Sequence, residues 1–108
     1  MKNEKQRQYH RLVYPVSYRP SLMMDMSDGF EIADVSEYGL KIKVNDDLDF
    51  MVADTVRASI AFPDGKEFDL SGQVVRVDEG YVGLALDAPL PQSIITTEAL
   101  NLMRNFPD

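Results

Sequence analysis

Residues 55–77 read TVRASIAFPDGKEFDLSGQVVRV, and their pattern decides the fold. Val56, Ala58, Ile60 and Phe62 alternate with Thr55, Arg57 and Ser59, the period of a strand with one buried face. Pro63-Asp64-Gly65 ends that run, because proline presets one φ and glycine supplies a positive one. FDLSGQVVRV, residues 68–77, reads as the returning strand, with Gly72 marking a bulge or bend. This is a hairpin, and the flanking sequence repeats its grammar.

Downstream, Asp78-Glu79-Gly80 turns the chain into YVGLALD, residues 81–87. Upstream, Leu40, Ile42 and Val44 interleave with Lys41, Lys43 and Asn45 before an acidic loop, NDDLD, at 45–49. Phe30 and Ile32 alternate with Glu31 and Ala33 after the turn-like DMSDG at 25–29. Leu12, Tyr14, Val16 and Tyr18 point one way, with Val13, Ser17 and Arg19 the other, and Pro15 and Pro20 make this an edge or bulged strand. Six short strands at hairpin spacing predict a small antiparallel β-barrel or curled sheet. From Ser93 to Asn105 the period changes: no proline or glycine occurs, and Ile95, Ala99, Leu102, Met103 and Phe106 recur at helical spacing. A serine or threonine among Ser93, Thr96 and Thr97 is expected to cap this helix, which would cover an open end or face of the barrel. The fold class is therefore all-β dominated, with one C-terminal α-helix.

The chain has 108 residues and 44% hydrophobic content, which suits one globular core and is too apolar for disorder. No apolar run reaches the roughly 18 residues of a membrane span, and the polar start, MKNEKQRQYHR, lacks the apolar centre of a signal peptide. With no cysteine there is no disulfide framework, thiolate metal site or thiol nucleophile. A cytoplasmic protein without membrane insertion is the expectation. The net charge of −7 is unevenly spread: residues 1–19 carry Lys2, Lys5, Arg7, Arg11 and Arg19 against Glu4 alone. The acidic remainder repels polynucleotide phosphates, which argues against DNA or RNA as a partner, while the basic segment can still meet a small anion.

Enzyme chemistry has little foothold. His10 is the single histidine and has no second ligand at metal spacing; no nucleophile elbow, P-loop or dinucleotide fingerprint occurs. Asp46, Asp47 and Asp49 lack the glycine and terminal glutamate of an EF-hand loop. The expectation is a protein that is no enzyme and needs neither metal nor cofactor. Two stretches carry chemistry instead, RQYHR at 7–11 and DVSEYG at 34–39. Arginine offers a planar fork that matches phosphate oxygens and guanine's O6/N7 edge, and it stacks on purines. A carboxylate offers paired acceptors for guanine's ring N–H and exocyclic amine, and a serine hydroxyl donates to a phosphate or base carbonyl. Glycine lets backbone come close. Arg7, Arg11, Asp34, Ser36 and Gly39 are thus equipped for a guanine nucleotide, although these groups alone would also serve other anions. The bland alternative is a solvated basic tail beside ordinary hairpin chemistry, in which Asp34 and Ser36 cap a turn and Gly39 satisfies its backbone.

The two stretches in this order resemble the PilZ domain family, bacterial receptor modules for cyclic di-GMP. RQYHR stands where that family has RxxxR, DVSEYG where it has [D/N]xSxxG, and GLKI, GQVVRV (72–77) and YVGLAL (81–86) look like its later strands. The resemblance implies a six-stranded β-barrel with a C-terminal helix. It implies that Arg7 and Arg11 grip phosphate and guanine while Asp34, Ser36 and Gly39 complete the site on the barrel surface. Arg76, in a later strand, is a weaker candidate that could reach the ligand or simply pair with an acid; His10 is read as a spacer, and Tyr9 offers a ring for stacking or packing. The domain reading is a flexible arm over 1–11, ordered by ligand, followed by the barrel and helix over 12–108. Function would then be signalling in trans to an effector protein, by a monomer or homodimer that takes one or two cyclic di-GMP, in motility, secretion, adhesion or biofilm regulation. The alternative is a PilZ-like protein-interaction adaptor that binds no nucleotide and works through its helix or a sheet edge.

Overall fold

The computed structural model describes residues 11–24, 29–44 and 50–106. The NDDLD loop, most of the DMSDG turn, and the arm with Arg7, Tyr9 and His10 lie outside the described residues. Strands β1 (Leu12–Val13), β2 (Ser21–Met23), β3 (Phe30–Ser36), β4 (Gly39–Lys43), β5 (Thr55–Ala61), β6 (Glu67–Asp78) and β7 (Tyr81–Leu86) precede helix α1 (Gln92–Asn105). All pairings are antiparallel, in the order β3-β2-β5-β6-β7-β4, and β3 pairs with β4 to close a six-stranded barrel; β1 adds an extra short strand along β3.

Alternating residues meet inside it. Leu22, Ile32, Ile42, Ile60, Val74 and Val82 are essentially buried, and each aliphatic side chain taken from water contributes about 1.5–3 kcal/mol. The hairpins at 63–65 and 78–80 form as expected, with Gly65 and Gly80 at φ of 96° and 82°. No described helix is long and apolar enough to cross a membrane.

Three expectations are corrected. The run 12–19 is not one strand, because Pro15 and Pro20 interrupt its ladder and residues 16–18 form a 3₁₀ turn. β1 and β2 pair with successive parts of the same edge of β3, and Val16 is 75% exposed rather than turned inward. Second, the helix starts after Pro91 without a side-chain cap; the Pro91 carbonyl accepts from the Ile94 and Ile95 amides, so Ser93, Thr96 and Thr97 are not caps. Its inner stripe runs through Ile94, Glu98 and Leu102, while Met103 is exposed. Glu98 is fully buried and accepts a 2.6 Å hydrogen bond from the Tyr14 hydroxyl. Third, Gly72 is not a bulge. It pairs in register with Val56 and Leu86, and a Cβ there would collide with the Ala85 carbonyl. Gly72→Ala is expected to cost about 1–3 kcal/mol, the scale of overpacking, because backbone cannot step aside like a side chain. A denaturant midpoint unchanged from the parent protein would show that the strands part at this position without cost.

Candidate functional site

Two bulges decide which residues face outward around the DVSEYG hairpin. In β3, Ile32 pairs with Ile42 but Asp34 pairs with Lys41, so Ala33 is an extra residue. In β6, Val74 pairs with Leu84 but Arg76 pairs with Gly83, so Val75 is extra. A strand shifted by one residue sends every later side chain to the opposite face. Without Ala33 as the insertion, Asp34 would point at the core with Val35 outside; with it, Val35 is 1% exposed and Asp34 turns to the outer face of the sheet, where it is still largely covered. The insertion at Val75 does the same for Arg76. Alternation along the sequence pointed to neither bulge; the nearest signal is the unbroken apolar-polar mixture of ADVS and QVVRV, which fits no single register.

The register then assembles a row across the sheet. Val13 on β1 faces Asp34 on β3, Asp34 faces Lys41 on β4, Lys41 faces Gly83 on β7, and Gly83 faces Arg76 on β6. Arg11, Asp34, Ser36, Gly39, Lys41, Arg76, Tyr81 and Gly83 line one cleft of about 330 Å³. Five of the six sequence candidates therefore converge, and Arg7 lies outside the described residues. Lys41, Tyr81 and Gly83 enter the site only through the register. A larger depression of about 550 Å³, beside Met23, Arg57, Phe68 and Leu70, is more open and is lined by none of the described motif residues.

Ser36 and Gly39 are paired across the end of the β3–β4 hairpin. Gly39 has no positive φ, so its backbone does not demand glycine. Its role is space: a Cβ would stand 3.3 Å from the Leu84 carbonyl and 3.4 Å from Ser36 Oγ. Asp34 lies within β3 rather than in a turn, and its Oδ1 is 3.8 Å from Arg11 Nε. The Asp34 side chain is 11% exposed, against 66% for Arg11. Burial raises the Asp34 carboxyl above its ordinary value, opposed by the nearby charges of Arg11 and Lys41. Arg76 Nε is 3.0 Å from Asp78 Oδ2, and Lys41 Nζ lies 5.1 Å from the centre of the Tyr81 ring. The cleft thus joins, among the described residues, the buried Asp34 carboxylate, the exposed Asp78 carboxylate paired with Arg76, the hydroxyl-bearing Ser36 and Tyr81, and three cations, a set suited to an anion that also carries paired N–H donors. Among the described residues no group of three or more His, Asp or Glu is placed to hold a metal.

No curated protein matches the sequence. By structure, the chain is similar to the Bacillus subtilis inhibitor of motility MotI/DgrA, with a TM-score of 0.74 and 15% identity. That likeness covers 93% of this chain and 52% of the Bacillus one, so the chain spans about half the length of that protein. An uncharacterized Legionella protein is similar with a TM-score of 0.55 and 18% identity, over 89% of this chain and 92% of that one. Identities this low speak for the fold alone. The sequence itself matches the PilZ domain over residues 5–100, which takes in both motifs and every strand. The chain belongs to the PilZ domain family, a family of cyclic di-GMP receptor and adaptor domains.

Proposed function

We propose that this domain is a receptor for cyclic di-GMP that performs no catalysis and passes the signal to an effector protein in trans. The observation that carries the reading is the convergence of Arg11, Asp34, Ser36, Gly39 and Arg76 on one surface cleft. In this reading the Asp34 carboxylate accepts from the guanine ring N–H and amine, and the Ser36 hydroxyl donates to the ligand. Gly39 keeps the approach open. Arg7 and Arg11 close over phosphate and base, ordering the arm of residues 1–11 onto the barrel. The new surface made by arm and nucleotide is what the effector reads, an order–disorder switch. Because the Bacillus protein of the same fold is an inhibitor of motility, motility is the first process to assay.

The test is a calorimetric titration of the protein with cyclic di-GMP, with GTP and cyclic di-AMP as controls. Saturable heat confined to cyclic di-GMP supports the reading and gives the stoichiometry. A folded protein that gives no heat would sink it and leave the protein-interaction adaptor. Arg11→Ala should weaken binding by about 1.5 kcal/mol, the lower end for a charge-assisted hydrogen bond, since the side chain is mostly exposed and screened. Affinity should also fall as salt is raised; an affinity indifferent to salt would point to stacking in place of ion pairing.

A further inference from the structure

The outer faces of β4, β7 and β6 carry a second group of residues that the motifs do not name. Lys41 and Arg76 are both register partners of Gly83, one from each side. With strands about 4.8 Å apart, their Cα atoms stand about 10 Å from one another, and two long cationic side chains can meet over the glycine between them. Gly83 has no positive φ, so its backbone does not demand glycine. A Cβ would meet only Arg76 Cβ, at 3.4 Å, an ordinary contact. The conformation of the strand thus gives no reason for glycine, and the fold would gain from a β-branched residue there. What a side chain at this position would fill is the floor of the cleft.

Both cations are engaged at the end of the cleft nearest the turn. Asp78 and Tyr81 are paired across the Glu79-Gly80 turn. Asp78 Oδ2 holds Arg76 Nε at 3.0 Å, and the Tyr81 ring carries Lys41 Nζ at 5.1 Å. A carboxylate on an arginine fork presents the same kind of oxygen acceptor as a phosphate. The geometry points to a phosphate subsite made by Lys41 and Arg76 over Gly83, in which the Asp78 carboxylate stands in for the ligand phosphate until the ligand displaces it. This rests on the cyclic di-GMP reading for the identity of the ligand, and adds to it residues that take one phosphodiester and an internal competitor that sets affinity.

The test compares wild type with D78N, G83V, K41Q and E79Q by calorimetry with cyclic di-GMP. It also follows the Gly83 amide by NMR while inorganic pyrophosphate is added. D78N should bind about two- to fivefold more tightly, the scale of an exposed ion pair removed from competition. E79Q, which removes a neighbouring charge of the same turn, should change affinity by about twofold or less. K41Q should bind about two- to fivefold more weakly. G83V should fold normally and lose at least about tenfold, because its side chain occupies the floor. Should wild type bind cyclic di-GMP and all four variants match it, the subsite is overturned and the receptor reading survives. Absent cyclic di-GMP binding, a saturable pyrophosphate shift at Gly83 that tightens in D78N would uphold the subsite and reject the receptor reading. Silence toward both ligands would reject both.

Discussion

Tyr14→Ala is expected to destabilise the domain by about 4 to 5 kcal/mol, a large share of the 5–15 kcal/mol that holds a domain of this size together. Two losses combine. The ring is 2% exposed in the core, and truncating an aromatic residue there leaves a cavity worth about 3–5 kcal/mol. The Tyr14 hydroxyl also donates to Glu98 Oε1 at 2.6 Å, and without it the buried carboxylate keeps, among the described residues, a long 3.4 Å bond from Asn101 Nδ2. An acceptor left so poorly satisfied costs about 1–3 kcal/mol, and the two losses share one site and do not simply add. Tyr14→Phe isolates the second loss and should cost about 2 kcal/mol. Adding Glu98→Leu to Tyr14→Phe removes both partners and should recover most of that, since an apolar pair leaves nothing unsatisfied. A double variant no more stable than Tyr14→Phe alone would show that the hydroxyl–carboxylate bond is not what pins α1 to the barrel.

Burial and the Glu98 carboxylate push the Tyr14 phenol well above its ordinary value, so it remains a donor wherever the protein is folded. The sign of the linkage follows. An unfolded chain releases this proton near pH 10.0 and the folded one does not, so the stabilisation is complete below that value and is lost as pH rises above it. The same contact lies close to the cleft along the chain. Tyr14 follows Val13, the register partner of Asp34, and its amide donates to the Ala33 carbonyl at the β3 bulge. Tyr14 therefore joins the helix to the strand pair that presents Asp34.

Asp34→Ala should weaken cyclic di-GMP binding by about 3 kcal/mol, roughly a hundredfold, and leave the fold as stable as before or more so. The loss exceeds that of Arg11→Ala because the Asp34 side chain is only 11% exposed. In the proposed complex its two oxygens, held by β3, would accept from guanine out of reach of most solvent screening. The stability side has its own sign. The carboxyl is raised by burial, so the folded state holds the proton more firmly than the unfolded chain does. The contribution of this group is greatest below the ordinary value of 3.8 and is lost as pH rises through the raised folded value. At neutral pH the buried charge is a net burden to the fold, and alanine relieves it. Binding should weaken on acidification through the same range, since a protonated carboxyl no longer offers two acceptors. A variant that unfolds easily and binds normally would assign Asp34 to structure and away from the ligand.

Much of the molecule is legible in order of sequence. Val56 to Phe62 alternate and face the core as their period requires, and the glycines of PDG and DEG take the positive φ their turns need. The helix is announced by a change of period at Ser93. Other features leave no local mark. Nothing local marks Glu98 for burial, since the hydroxyl that bonds its carboxylate belongs to Tyr14, 84 residues away. Val16 reads as an inward residue of a strand that two prolines break.

The side chains themselves settled the alternation, the turns, the helical period and the two arginine and carboxylate motifs, because each depends on neighbours a few residues away. Which face of the barrel those motifs occupy was decided by tertiary pairing. Ala33 and Val75 became insertions only when β3 met β4 and β6 met β7, with Ile32 opposite Ile42 and Val74 opposite Leu84 as buried pairs. A shift of one residue reverses every side chain beyond it, so closing the barrel around its apolar pairs is what turned Asp34 and Arg76 outward into one cleft.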